Sequence, residues 1–271
     1  MNNSKLITQN SELWQSSAIA MRRGVILIYI NTAGLILRET PYKESSKILT
    51  ILTSGHGKLT VTARGAIRRN SKLAAVTGLL AFSEMTLFQN RDRWTMTEAR
   101  SIEQFIGLRS DLTLLSLASY FAELVEAVAD EDSPNPELLP LCLNALFALS
   151  EELKSADYVK PAFELRLMAA SGFAPLLETC MKCGKSEPQN AFINIVEGAL
   201  LCENCSLLGD LKLSRGALHA ARYIINCDSK KLYSFSLGDK TLKELSYITE
   251  RYVLVHLDRT FRTLDYYKGL V

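Results

Sequence analysis

"AGLILRETPYKESSKILTILTSGHGKLTVTARG", residues 33–65, reads as three short strands in a row. Runs such as "ILTILT" and "KLTVTA" are rich in β-branched residues and partly alternate between apolar and polar. Pro41, the cluster Ser54, Gly55, His56 and Gly57, and Gly65 punctuate them. Two more runs of the same kind follow, "SEMTLFQN" at 83–90 and "WTMTEARSIE" at 94–103, separated by Asn90, Arg91 and Asp92. Five short strands in a row predict a small closed barrel, because closure removes exposed sheet edges. The longest interruption, "AIRRNSKLAAVTGLLA" at 66–81, falls between the third and fourth strands. An oligonucleotide-binding (OB) barrel has five strands and commonly carries an extra element at that point.

Beyond Phe105 the apolar period becomes helical. Ser110 or Asp111 caps a helix with Leu112, Leu115, Phe121, Leu124, Val125 and Val128 on its apolar side. Asn135 as N-cap and Pro136 at the first position open a second helix. A third spans about 159–170 and ends at Gly172, and Ser214 caps a fourth. Thr241 with Glu244 three residues on forms a capping box for a last helix running to about Leu264. The expected class is α+β. An N-terminal five-stranded OB-fold β-barrel (31–104) precedes an α-helical domain (105–271) that carries a four-cysteine zinc-ribbon-like module at about 176–209.

That module rests on "CMKCGKSEPQNAFINIVEGALLCENC", residues 180–205. Cys180, Cys183, Cys202 and Cys205 form two C-x-x-C pairs eighteen residues apart, a spacing within the range of zinc sites. Each pair sets two thiolates on one turn, and the spacer is long enough for a hairpin that opposes them. Four thiolates complete a tetrahedron and leave no position for water or substrate, so a single Zn2+ here holds a fold and does no chemistry. The other two cysteines, Cys142 and Cys227, lie in apolar helical patterns and read as core thiols in a reducing compartment.

Charge is unevenly spread over the 271 residues, although the formal net is only +2. Residues 33–100 hold eleven Lys/Arg against five Asp/Glu, and residues 101–160 hold three against eleven. A basic first segment followed by an acidic one implies different partners for each. Lys58, Arg64, Arg68, Arg69 and Lys72 cluster in "GKLTVTARGAIRRNSK" without one acid, and Arg91 and Arg93 flank a later turn beside Trp94. Such cations neutralise phosphates. The indole either stacks on a base or packs into the core. "SGHGKLT" lacks the first glycine and the Ser/Thr of a phosphate-binding loop and reads as a turn between strands. His219 and His256 lie in helical patterns without nucleophile partners, and no catalytic signature was found, so no enzyme is expected.

"MRRGVILIYIN" from Met21 opens like a signal peptide, but its apolar run is too short. No run approaches a membrane span, so a cytoplasmic chain is expected. Residues 1–20 are polar and aperiodic and are expected to be disordered.

The stretches "GLILRETPYKESSKILTILTSGHGKLTVTARGAIRRNSKLAA", "ASYFAELVEAVADEDSPNPELLPLCLNAL", "FELRLMAASGFAPLLETCMKCG" and "ALLCENC" together resemble the bacterial recombination-mediator family RecO. The resemblance implies a DNA-repair protein that binds single- and double-stranded DNA and anneals complementary strands. It further implies action with RecR to load RecA onto strands coated by single-stranded DNA-binding protein, with no membrane and no small-molecule substrate. Lys58, Arg64, Arg68, Arg69 and Lys72 match the DNA-binding region by type and place. Residues 1–30 lie outside the resemblance and read as an extension, or as a sign that Met21 or a later residue is the natural start. An RNA-binding or transcription-associated OB–zinc module is the alternative, and a nuclease or other zinc enzyme a third reading.

Overall fold

The computed structural model describes residues 16–22 and 25–271, with side chains from Ile28 onward. Contacts divide the chain into two compact units, Met1–Leu146 with Thr263–Val271, and Phe147–Arg262. The expected boundary at 104/105 marks the change from strands to helices but not the division into units. The reason is that the first long helix and the loop after it are bonded to the strands.

The five expected strands and one more form the first unit's sheet: β1 (Ser16–Arg22), which is the addition, β2 (Val25–Tyr42), β3 (Ser46–Thr53), β4 (Lys58–Ala63), β5 (Phe82–Asn90) and β6 (Arg93–Glu103). Of residues 1–20, expected to be disordered, 16–20 belong instead to β1, whose backbone pairs antiparallel with Val25–Asn31; residues 1–15 lie outside the described residues. The apolar run at Val25–Ile30 is the first part of β2, which continues past the expected start at Ala33 to Tyr42. β2 reaches this length by serving β1 and then β3 along one edge and β5 along the other. A register shift between Ile36 and Arg38 bends it. A Cβ at Gly34 would lie 2.6 Å from Ile51 Cγ2, so only glycine lets the two strands approach there.

Pairings run β2–β3–β4–β6–β5 and return to β2, closing a ring of five strands. Alternate residues point into it: Ile30, Ile36, Leu49, Ile51, Leu59, Val61, Met85, Leu87 and Met96 form one buried cluster. The segment between β4 and β5 is a chain of turns with one 3-10 turn at Ala74–Val76.

A one-turn helix α1 (Ile106–Arg109) leads to α2 (Leu112–Val128), capped by Asp111, whose carboxylate accepts from the amides of Thr113 and Leu114. Beyond α2, residue 58 of β4 bonds through its amide to the Asp130 carbonyl and through its carbonyl to the Asp132 amide. Gly57, at φ +64°, passes so close to Ser133 that a Cβ would lie 2.4 Å from its carbonyl oxygen. α3 (Leu138–Ser150) follows, with the Asn135 side chain accepting from the Glu137 amide.

The second unit holds α4 (Ala156–Ala170), a small sheet of β7 (Ala191–Asn194), β8 (Ala199–Cys202) and β9 (Leu211–Leu213) in the order β8–β7–β9, α5 (Arg215–Asn226) and α6 (Asp239–His256). α4 and α6 are joined by a buried ion cluster. Lys160 Nζ lies 2.9 Å from carboxylate oxygens of both Glu164 and Glu250, and Thr249 donates to Glu164 at 2.7 Å. Burial alone would lower the Lys160 pKa, but the two carboxylates outweigh it and hold the pKa above its ordinary value.

Two helix expectations are corrected. The capping box of Thr241 and Glu244 does not form, since α6 starts at Asp239. Glu244 instead accepts from the amide of Ser214, at the start of α5, at 2.5 Å. The last helix ends at His256, and a separate α7 (Arg262–Lys268) follows a break that places Asp258 at φ +46°. Thr263 of α7 bonds to the Glu123 carboxylate on α2, which explains why the end of the chain groups with the first unit. Among the described residues no helix is long and apolar enough to cross a membrane.

Candidate nucleic-acid interface and metal centre

The four motif cysteines come together. The sulfurs of Cys180, Cys183, Cys202 and Cys205 all lie within 4.8 Å of one another. Thiolates about 2.3 Å from a tetrahedral ion would sit about 3.8 Å apart, so the donor set fits zinc in type and spacing. The first turn is closed by the Gly184 amide on the Cys180 carbonyl (2.8 Å), with Gly184 at φ +76°. The β7–β8 hairpin, in register from Ala191↔Cys202, carries the second turn back, where the Cys205 amide bonds the Cys202 carbonyl (3.0 Å).

Burial would raise the Cys180 thiol, but the amides of Cys183, Cys202 and Lys182 bring it down to about 6. The Cys205 thiol is pushed up to about 12, first by its hydrogen bond to Cys202 and then by burial and the other two sulfurs. One thiolate forms readily and crowding holds back the next, an arrangement that a bound dication relieves.

Basic side chains around these turns are engaged. Lys182 donates to the Cys205 carbonyl at 3.1 Å, and Lys185 lies 3.5 Å from Glu203. Arg222, from α5, donates to the carbonyls of Leu177 and Glu178 ahead of the first pair, and to the Ser186 carbonyl and the Glu187 carboxylate after it. It clasps both ends of the loop that presents Cys180 and Cys183. Nothing in the cysteine spacing points to this residue. Cys142 is buried as expected, whereas Cys227 is a half-buried residue at the end of α5 rather than a core thiol.

The basic residues of the first unit are placed differently. Arg64, Arg68, Arg69 and Lys72 are exposed on the loop after β4, and no hydrogen bond or ion pair engages their side chains among the described residues. The loop beneath them is anchored. Ile67 donates to the Ser45 carbonyl, Arg68 to Gly65 and Ser71 to Arg68, while Ala66 is buried in the core cluster. Arg91 and Arg93 are exposed on the β5–β6 turn. β4 and β6 are parallel with Val61 opposite Trp94, so Arg93 is level with Thr60 and Arg64 with Thr97. At about 3.3 Å per residue the two groups stand about 13 Å apart along the strands.

Lys58 departs from the group. Its ammonium donates to the Glu126 carbonyl of α2 at 2.9 Å, making it a tie between strand and helix. Trp94 packs against the core cluster from inside the ring, alongside Met96. Two aromatics that did not stand out in the sequence, Tyr29 and Phe88, are on the outer face with ring centroids 4.9 Å apart. The signal available for Phe88 was its alternation with the inward Met85 and Leu87.

Residues 27–105 match the family described as recombination protein O N terminal, and residues 109–265 that described as recombination protein O C terminal. The chain belongs to the RecO family of DNA-repair proteins. The RecO match covers both compact units and begins within β2. Relatives named DNA repair protein RecO include one from Acetivibrio thermocellus, 34% identical over 89% of this chain and 97% of its own length. One from Caldicellulosiruptor bescii is 31% identical over 88% of this chain and 98% of its own. One from Bacillus pumilus is 32% identical over 82% and 87%.

Proposed function

We propose that this RecO-family chain is a non-catalytic, DNA-binding recombination mediator whose closed strand ring is an OB-type barrel. The observation that carries the reading is the anchored loop presenting Arg64, Arg68, Arg69 and Lys72 to solvent with no protein partner among the described residues. A cation with no partner in the fold is available to phosphate. Neutralising two strands at once weakens their repulsion and lets complementary bases meet. Arg91 and Arg93 extend the same electropositive side.

Cys180, Cys183, Cys202 and Cys205 hold one Zn2+, which supplies a structural cross-link. In the cell the protein acts in the cytoplasm, at the nucleoid. Together with RecR it helps to load RecA onto strands coated by single-stranded DNA-binding protein, the partners that the family resemblance implies.

The test is annealing of two complementary DNA strands by the full chain, with and without single-stranded DNA-binding protein, over a range of salt. Faster pairing that fades as salt rises is expected. Binding without any acceleration would contradict the mediator reading, and acceleration confined to RNA strands would favour the RNA-binding alternative.

A further inference from the structure

Strand alternation sorts the ring into an inner and an outer face. Ser83, Met85 and Leu87 of β5 and Met96 of β6 are buried, which turns Phe88 and Thr95 outward. Pairing register carries that outward position across the sheet. Tyr29 is opposite Phe88, Phe88 opposite Thr95, Thr95 opposite Thr62, and Thr62 opposite Ile48. All five residues are half-buried, and none is charged. The two rings lie 4.9 Å apart at 35°, so they brace each other while remaining partly open to solvent.

Cations bracket this neutral row. Arg93 is two residues from Thr95 along β6, and Arg64 two residues from Thr62 along β4, each about 7 Å from the row. Both are exposed and free of protein partners among the described residues. The nearest acids in register are Asp92, in the turn with Arg91 and Arg93, and Glu98, opposite Thr86. Neither interrupts the line from Arg93 through Thr95 and Thr62 to Arg64.

We propose that Tyr29 and Phe88 form a stacking platform for an unpaired base of a single strand, whose phosphates lie against Arg93 on one side and Arg64 on the other. An aromatic ring needs a free base face, and in a duplex both faces of each base are covered by its neighbours. The platform thus selects the strand state, while the cations act on any phosphate chain. Stacking is tolerant of sequence and adds affinity without adding to the salt dependence. The inference rests on the DNA-binding reading above and names the form of nucleic acid that this face prefers.

The experiment measures fluorescence anisotropy of a labelled oligothymidine and of a labelled duplex against the full chain. The double variant Tyr29→Ala with Phe88→Ala is expected to weaken single-strand binding between about 5- and 150-fold, the range for losing one stacked base. Duplex affinity and the single-strand salt slope are expected to stay unchanged. A second variant, Phe88→Trp, guards against loss of folding: it keeps single-strand affinity, and its added indole is quenched on binding.

Unchanged single-strand affinity in the alanine variant overturns the platform, as does an equal loss for both nucleic acids in a folded protein. Absence of quenching in Phe88→Trp does the same. Arg68→Glu with Arg69→Glu separates the two ideas. If that variant loses binding while the alanine variant does not, the electrostatic reading stands without the platform; the reverse leaves the platform and discards the loop.

Discussion

Two sets of basic side chains occupy this chain, and they differ in whether the fold already uses them. Around the cysteine turns Lys182, Lys185 and Arg222 each have carbonyl or carboxylate partners, and Lys160 is locked between Glu164 and Glu250. On the loop after β4, Arg64, Arg68, Arg69 and Lys72 have none among the described residues. Residue type alone does not tell the two sets apart. The difference separates charge that the fold leaves available to a partner from charge that it has already used for its own stability.

The sharpest way to break this comparison is to remove what the second region is built around. Cys180→Ser with Cys183→Ser is expected to abolish metal content and to lower the thermal transition of the Phe147–Arg262 unit by the largest margin, because structural zinc binding is itself folding energy. DNA affinity should change far less; a metal content equal to the parent's would discard the site. Lys160→Met strands the Glu164 carboxylate in a site that is 0% exposed and should cost about 3–5 kcal/mol in urea unfolding. Because the Lys160 pKa is raised on folding, its contribution is complete below about pH 10.5, the ordinary lysine value, and is lost only as the pH rises through the elevated folded value. Stability of the parent between pH 6 and 9 should therefore owe no slope to this group. Arg222→Ala removes charged hydrogen bonds from both sides of the first cysteine turn and should cost about 2 kcal/mol. Competition with a chromophoric chelator should show weaker metal binding in the same variant. Arg68→Glu with Arg69→Glu touches no partner and should alter stability by less than about 0.5 kcal/mol.

Much of this was legible in sequence, for local reasons. Cysteine spacing located the four-sulfur cluster, since two C-x-x-C turns need only a hairpin between them to meet. Asp111 and Ser214 announced their helices, because an N-cap is a contact between a side chain and amides two or three residues on. What escaped depends on residues distant in sequence. Glu244 had the spacing of a capping box but bonds Ser214, thirty residues away. Lys58 sat in a basic run yet reaches Glu126 on α2, and Arg222 gave no local sign of the turn that it clasps. The sequence left Trp94 open between base and core because the face of a strand residue is set by register, which the residues near it do not print; pairing with Val61 turns it inward. β2 was cut short for a similar reason: its first half earns its place by pairing with β1 and β5.

The central claim is that the uncommitted loop cations meet phosphate, and the salt dependence of single-strand affinity tests it most directly. With Arg64, Arg68, Arg69 and Lys72 in contact, log affinity should fall against log salt with a slope of about −3 in the parent. Arg68→Glu with Arg69→Glu should lower affinity and flatten that slope by about 1.4 or more, with metal content and thermal transition unchanged. An affinity and slope equal to the parent's would show that this loop does not hold the strand.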